Sequence, residues 1–166
     1  MESVQTTNQK VEPPVGMAKP TSAKKPVILC IDDEKMLLET LERLIWRHLG
    51  REFDVETADS GEEAVELLEE LIAEGRQVAL IISDQLMPGI KGDAFLSRAM
   101  KLTPHTPKIL LTGQADMQAV VNAVNDARLF RFVHKPWDEA ELVAYLREAV
   151  EIYRQKILIE RYNRIF

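Results

Sequence analysis

The sequence predicts an α/β fold: a doubly wound parallel sheet of five strands interleaved with five helices. Three observations carry this. Short, continuously apolar runs such as Val27-Ile28-Leu29-Cys30-Ile31 and Val78 to Ser83 read as strands buried on both faces. Segments with apolar residues at helical spacing separate those runs. The two kinds alternate strictly, which calls for parallel strands, right-handed crossovers and helices on both faces of the sheet.

The first strand, Val27 to Ile31, precedes a helix over 34–49 whose Leu37, Leu38, Leu41, Leu44, Ile45 and Leu49 recur at helical spacing until Gly50 closes it. Phe53 to Ala58 alternates as a half-exposed strand would. Ser60, with Glu63 three residues on, reads as a capped helix start; Ala64, Val65, Leu67, Leu68, Leu71 and Ile72 follow, and the helix ends near Gly75. Val78 to Ser83 is the third strand. A short helix over 92–101 is stopped by Pro104 and Pro107, and Lys108 to Thr112 is the fourth strand. Asp116 is expected to cap a helix reaching residue 126, and Phe130 to Val133 is a short fifth strand. The final helix, capped by Asp138, runs on to the end of the chain.

The 166 residues, 46% apolar, suffice for one globular domain with a core. Residues 1–25 are polar, with Pro13, Pro14 and Pro20, and are expected to form a disordered tail. The domain proper is assigned to 26–150 and a helical extension to 151–166. A net charge of −6 argues against non-specific nucleic-acid binding, which needs cations to displace phosphate counterions. The single cysteine, Cys30, sits in a buried-type run and excludes an internal disulfide. No apolar run approaches the ~20 residues that span a bilayer. A cytoplasmic protein without membrane contact is expected.

In such a sheet, side chains just past the carboxyl ends of the strands gather in one crevice at the topological switch point. Asp32, Asp33 and Glu34 follow the first strand; Asp84 follows the third; Thr112 ends the fourth; Lys135 and Pro136 follow the fifth. Clustered carboxylates repel one another and lose hydration on burial, so they call for a shared cation. Few carboxylates plus water describe Mg2+ better than calcium. Lys135 and Thr112 would face the same point and hold the oxygens of a phosphoryl group. Asp84 is then a nucleophilic carboxylate fixed by an apolar strand.

Ile31-Asp32-Asp33-Glu34, Asp84-Gln85-Leu86-Met87-Pro88-Gly89, Leu111-Thr112-Gly113 and Phe132-Val133-His134-Lys135-Pro136-Trp137 fall in order on their elements. With these motifs the chain resembles the response-regulator receiver domains, the CheY-like phosphoacceptors of two-component systems, over residues 26–150. The resemblance implies a flavodoxin-like strand order 2-1-3-4-5. It implies that Asp84 takes phosphoryl from the phosphohistidine of a histidine kinase or histidine phosphotransfer protein. Asp33, Asp84 and the backbone carbonyl of Leu86 would ligate Mg2+, with Asp32 acting largely through water. Lys135 would pair with the phosphoryl group, Thr112 would swing to bond it, and Phe132 would turn inward as Thr112 moves. Gly113 would leave room for the phosphodonor. The fourth helix, fifth strand and fifth helix would form the output face.

Leu86 and Gln114 stand two residues beyond Asp84 and Thr112, where family members tune the attack of water on the acyl phosphate. A Leu cannot orient water through its side chain, so slow self-dephosphorylation is expected. His134, His48 and His105 read as surface histidines, since no ligand spacing supports a metal site. Two enzymatic or cofactor readings compete. A magnesium-dependent phosphohydrolase of the haloacid-dehalogenase type needs an acid where Leu86 stands. A flavodoxin-like cofactor binder needs a phosphate-cradling loop where Asp32-Asp33-Glu34 stands. A receiver retained only for protein binding would not need the full acid, hydroxyl and ammonium set. The chain is therefore expected to be a switch rather than an enzyme.

Tyr145, Ile152, Ile159 and Phe166 are spaced by seven along the last helix, with Tyr153 and Ile157 nearby. This stripe is expected to dimerise or to lead into an output domain. The run from Arg131 to Trp137 also resembles receivers that precede HD-type phosphodiesterase or other enzymatic outputs. The chain then stands as a fragment of a longer protein, or as a regulator on its own.

Overall fold

The computed structural model describes residues 24–113 and 116–165. Five parallel strands, β1 (Val27–Ile31), β2 (Asp54–Ala58), β3 (Val78–Asp84), β4 (Lys108–Thr112) and β5 (Arg131–His134), form one sheet in the order β2-β1-β3-β4-β5. Between and after them lie α1 (Lys35–Leu49), α2 (Gly61–Ala73), α3 (Gly92–Leu102), α4 (Met117–Ala127) and α5 (Glu139–Ile165). The expected class and strand order are both present.

Alternation along the strands builds two cores. Ile28, Cys30, Leu80, Ile82, Ile109 and Leu111 point to the α1 and α5 side, while Val27, Leu29, Ile31, Ile81 and Leu110 point to the α2, α3 and α4 side. β1, β3 and β4 are buried along their whole length, hence their largely apolar text, broken only at strand ends by Ser83, Asp84, Lys108 and Thr112. Each fully buried Ile or Leu contributes about 2 kcal/mol of transfer free energy. Cys30 is wholly buried in this sheet, which pushes its thiol far above the ordinary range and leaves it a small apolar side chain.

Several boundaries differ from the expectation. Phe53 lies just before β2 and packs into the core, and β3 extends one residue further, to Asp84. β5 begins at Arg131 rather than Phe130 and includes His134, because its ladder pairs Ile109 with Arg131 and Thr112 with His134. Ser60 caps α2 as expected, accepting from the Glu63 N–H at 3.1 Å, and Asp138 accepts from the Glu141 N–H at 2.9 Å. Asp116 precedes α4 but makes no side-chain cap bond. Its Oδ2 is buried and takes no hydrogen bond among the described residues.

α5 is one continuous helix through both the assigned domain and its extension. Tyr153 is buried and Ile157 packs against the core, whereas Ile159 is exposed and Phe166 lies outside the described residues. The proximal extension is tied down by the Arg154–Glu52 pair at 2.6 Å and the His105–Glu160 pair at 3.0 Å. The tail expected at the amino terminus lies outside the described residues up to position 23. Lys25 is held by the fold, its Nζ donating to Gly50 O at 3.1 Å and its carbonyl accepting from Arg76 at 2.9 Å. Among the described residues, no helix is long and apolar enough to cross a membrane.

Candidate functional site

Sheet register assembles the site. Ile31 pairs with Ser83, so Asp32 and Asp84, the next residues, emerge side by side from the two strands flanking the switch point. Asp84 pairs with Leu111, which puts Thr112 one step beyond it on β4. Thr112 pairs with His134, and Lys135 follows, its N–H donating to Thr112 O at 2.8 Å.

The side chains then converge. Lys135 Nζ lies 2.8 Å from Asp32 Oδ2 and 3.0 Å from Asp84 Oδ1. Asp32 is nearly fully buried, and its Oδ1 accepts from the Glu34 N–H at 2.9 Å, turning the chain from β1 into α1. Asp33 is exposed and has no hydrogen-bond or ion-pair partner among the described residues. One carboxylate oxygen from each of Asp32, Asp33 and Asp84 falls within a 4.8 Å cluster.

Burial pushes the Asp84 carboxyl above the ordinary carboxylate range, and the charge on Asp32 adds to that; Lys135 and the Gln85 N–H oppose it without prevailing. Burial also works against the Lys135 ammonium, but its bonds to Asp32 and Asp84 outweigh burial and hold its pKa above that of an ordinary lysine. One ammonium thus serves two carboxylates, and the third acid is left unpaired. Three hard oxygen donors with one cation among them fit a magnesium ion, which Asp33 and Asp84 could ligate with Asp32 behind them.

The loop after β3 is built to hold Asp84 still. Met87 is buried in the α2–α3–α4 core, whereas Leu86 points outward at 57% exposed and offers the site only its backbone. Gly89 adopts φ +77°, and the next N–H, that of Ile90, donates to Glu62 on α2 at 2.9 Å. Gly92 allows α3 to begin against the site, since a Cβ there would stand 2.2 Å from the Asp84 carbonyl oxygen. Gly113 is open among the described residues: a Cβ there would meet nothing nearer than Asp116 Oδ2 at 3.9 Å.

The two residues expected to switch are both held by a third. Thr112 Oγ1 pairs with His134 Nδ1 at 3.3 Å, and the His134 ring meets Phe132 edge-on with centroids 5.4 Å apart. Phe132 is outward-facing at 39% exposed. The sequence reading treated His134 as a surface residue, and it is exposed. Its contact with Phe132 follows from residues 132 and 134 sharing one face of a strand, and its contact with Thr112 from their pairing across β4 and β5. His48 and His105 meet acids, Glu139 at 3.6 Å and Glu160 at 3.0 Å, and neither belongs to a cluster of metal-ligating groups among the described residues. Gln114 lies outside the described residues.

Residues 28–147 match the response regulator receiver domain family. The chain belongs to that family. The receiver is 32% identical over 127 residues to the hydrogenase transcriptional regulatory protein HoxA of Bradyrhizobium diazoefficiens, covering 76% of this chain and 24% of that relative. It is 27% identical over 133 residues to the DNA-binding transcriptional regulator NtrC of Escherichia coli, covering 80% of this chain and 26% of that one. The receiver therefore spans about a quarter of the length of these curated relatives. Among solved structures, the signal receiver domain of an HD domain-containing protein from Pseudomonas fluorescens superposes with a TM-score of 0.68 at 32% identity, covering 80% of this chain and 99% of that one. A chain from Rhodopirellula baltica described as adenylate cyclase superposes with a TM-score of 0.73 at 28% identity, covering 85% and 98%.

Proposed function

We propose that this receiver accepts a phosphoryl group on Asp84 from the phosphohistidine of a histidine kinase or histidine phosphotransfer protein, and that the acyl phosphate switches its output face. The observation that carries this reading is Lys135 reaching both Asp84 and Asp32, with Asp33 unpaired beside them. An Asp84 oxygen attacks phosphorus and the O–P bond forms as the P–N bond breaks; the donor ring, already protonated on its other nitrogen, leaves as neutral imidazole. Lys135 stabilises charge on the transferring group as it moves from Asp84 toward a phosphoryl oxygen. Magnesium, when bound by Asp33, Asp84 and the Leu86 carbonyl, neutralises the acids and the phosphoryl oxygens.

Thr112 then leaves His134 for the phosphoryl group, and Phe132 turns inward into the space released. Leu86 offers attacking water no polar side chain, so the acyl phosphate is long-lived; a lifetime of seconds in the isolated domain would refute this. The chemistry is self-modification, one event per stimulus, in a protein of the cytoplasm. What it controls lies in the remainder of a longer protein or in a partner, in keeping with relatives named as transcriptional regulators and with a receiver found in an HD domain-containing protein. The outward apolar stripe on α5 serves self-association or the lead into an output domain.

The test is incubation with acetyl phosphate and magnesium followed by intact mass measurement. Wild type is expected to gain one phosphoryl group, and Asp84→Asn to gain none or far less. Equal gain by both would overturn the assignment.

A further inference from the structure

We propose that Gln85, beside the acceptor, is a positioning residue: its amide is clamped to Asp93 at the start of α3, and the clamp fixes which Asp84 oxygen is free to react. This rests on the phosphoacceptor reading and extends it to residues outside the acid, hydroxyl and ammonium set.

Gln85 is 4% exposed, and a buried amide must find partners at both ends. Asp93 supplies both. Gln85 Nε2 donates to Asp93 Oδ1 at 2.9 Å, and the Asp93 N–H donates back to Gln85 Oε1 at 2.8 Å. The other Asp93 oxygen accepts from Asn122 Nδ2 on α4 at 3.2 Å, and Asn122 Oδ1 accepts from Gln118 at 3.0 Å. Burial pushes Asp93 upward, yet the bonds from Gln85 and Asn122 prevail and hold its carboxyl below the ordinary range.

The backbone of the same residue is fixed as tightly. The Gln85 N–H is shared between Leu111 O at 3.0 Å and Asp84 Oδ1 at 2.9 Å, and Gln85 O accepts from the Gly92 N–H at 3.1 Å. Side chain and main chain thus close a ring from Gln85 to the first residues of α3 and back. The outcome falls on Asp84. Lys135 and the Gln85 N–H both donate to Oδ1, while Oδ2 takes no hydrogen bond among the described residues. Oδ2, with no donor among the described residues on its lone pairs, is the oxygen left to attack, and its direction is set by a peptide that cannot rotate while the clamp holds. Misplacing a reacting group by about 1 Å can cost on the order of 100-fold in rate.

A clamp that merely capped α3 would change stability and leave the rate alone, so the two are read separately. Phosphorylation rate is followed by intact mass with acetyl phosphate and saturating magnesium, alongside the thermal midpoint by circular dichroism. Gln85→Glu sets two carboxylates against each other and should slow phosphorylation about tenfold. Adding Asp93→Asn restores the side-chain bond between the two positions with donor and acceptor exchanged. It keeps the bonds donated by the residue-93 backbone N–H and by Asn122, and should return the rate to near that of wild type. Asp93→Ala breaks the clamp without burying a charge, should also slow the reaction, and serves if Gln85→Glu does not fold. Wild-type rates in Asp93→Ala, or a double variant as slow as Gln85→Glu at a wild-type midpoint, overturn the clamp. A wild type that gains no phosphoryl group overturns the phosphoacceptor reading and this role with it.

Discussion

At the scale of single residues, one weak bond holds Thr112 against the swing proposed for it. Thr112 is buried and Phe132 faces out, and His134 touches both. A hydrogen bond of this kind is worth about 1 kcal/mol net. Activation of the proposed kind must break it, so its removal should shift the population toward the state in which Thr112 faces Asp84. His134→Ala is therefore expected to raise the acetyl phosphate reaction rate about fivefold, the equivalent of that ~1 kcal/mol. Intact mass time courses measure it, and an unchanged rate would show that Thr112 is not restrained. The acids, Thr112 and Lys135 were legible because strand ends in a parallel sheet are fixed by the ladder. His134 and Gln85 were not, because each acts through a contact made by register and loop closure, which residue type alone does not reveal.

At the scale of elements, periodicity located every strand and helix, and the shortest edge strand was the least well bounded. β5 shifted by one residue because pairing with β4, and not its own apolar pattern, decides where it begins. α4 shows the converse: Asp116 marks its start by position but makes no cap bond, and the helix closes with Arg128 at φ +50°, a left-handed conformation more often left to glycine. α5 divides along its length. Its heptad-spaced residues do not form a single outward seam among the described residues, since Tyr145 and Ile152 are half-buried while Ile159 is exposed. Leu158, Ile159, Tyr162 and Ile165 instead expose 68%, 60%, 62% and 76% of their surface. The self-association proposed for this stripe would be a helix–helix interface between two copies. Sedimentation analysis should show a dimer that Ile159→Glu with Ile165→Glu converts to monomer, leaving the helical signal intact. A wild type monomeric throughout would instead assign the stripe to an output domain.

At the scale of the whole molecule, folding forces an electrostatic conflict that a bound cation would relieve. The sheet can bury its apolar strands only by bringing Asp32, Asp33 and Asp84 together at one edge, and Lys135 answers two of the three. The chain as a whole is acidic too, with a net charge of −6. A divalent cation that binds the folded state alone stabilises it by mass action, by about 2.7 kcal/mol at 100 times its dissociation constant. That corresponds to a thermal midpoint raised by several degrees in a domain of this size, about 2–4 °C per kcal/mol. Asp33 separates this from a general salt effect. Because it is exposed, its repulsion in the metal-free protein is screened, and Asp33→Asn in chelator should melt no lower than wild type. In millimolar magnesium the order should reverse, with wild type gaining the shift and the variant losing most of it. Thermal melts of both proteins in chelator, magnesium and matched sodium chloride make the comparison. Equal gains in sodium and magnesium would mean the three acids are simply screened and hold no ion, and a variant as responsive as wild type would remove Asp33 from the ligand set.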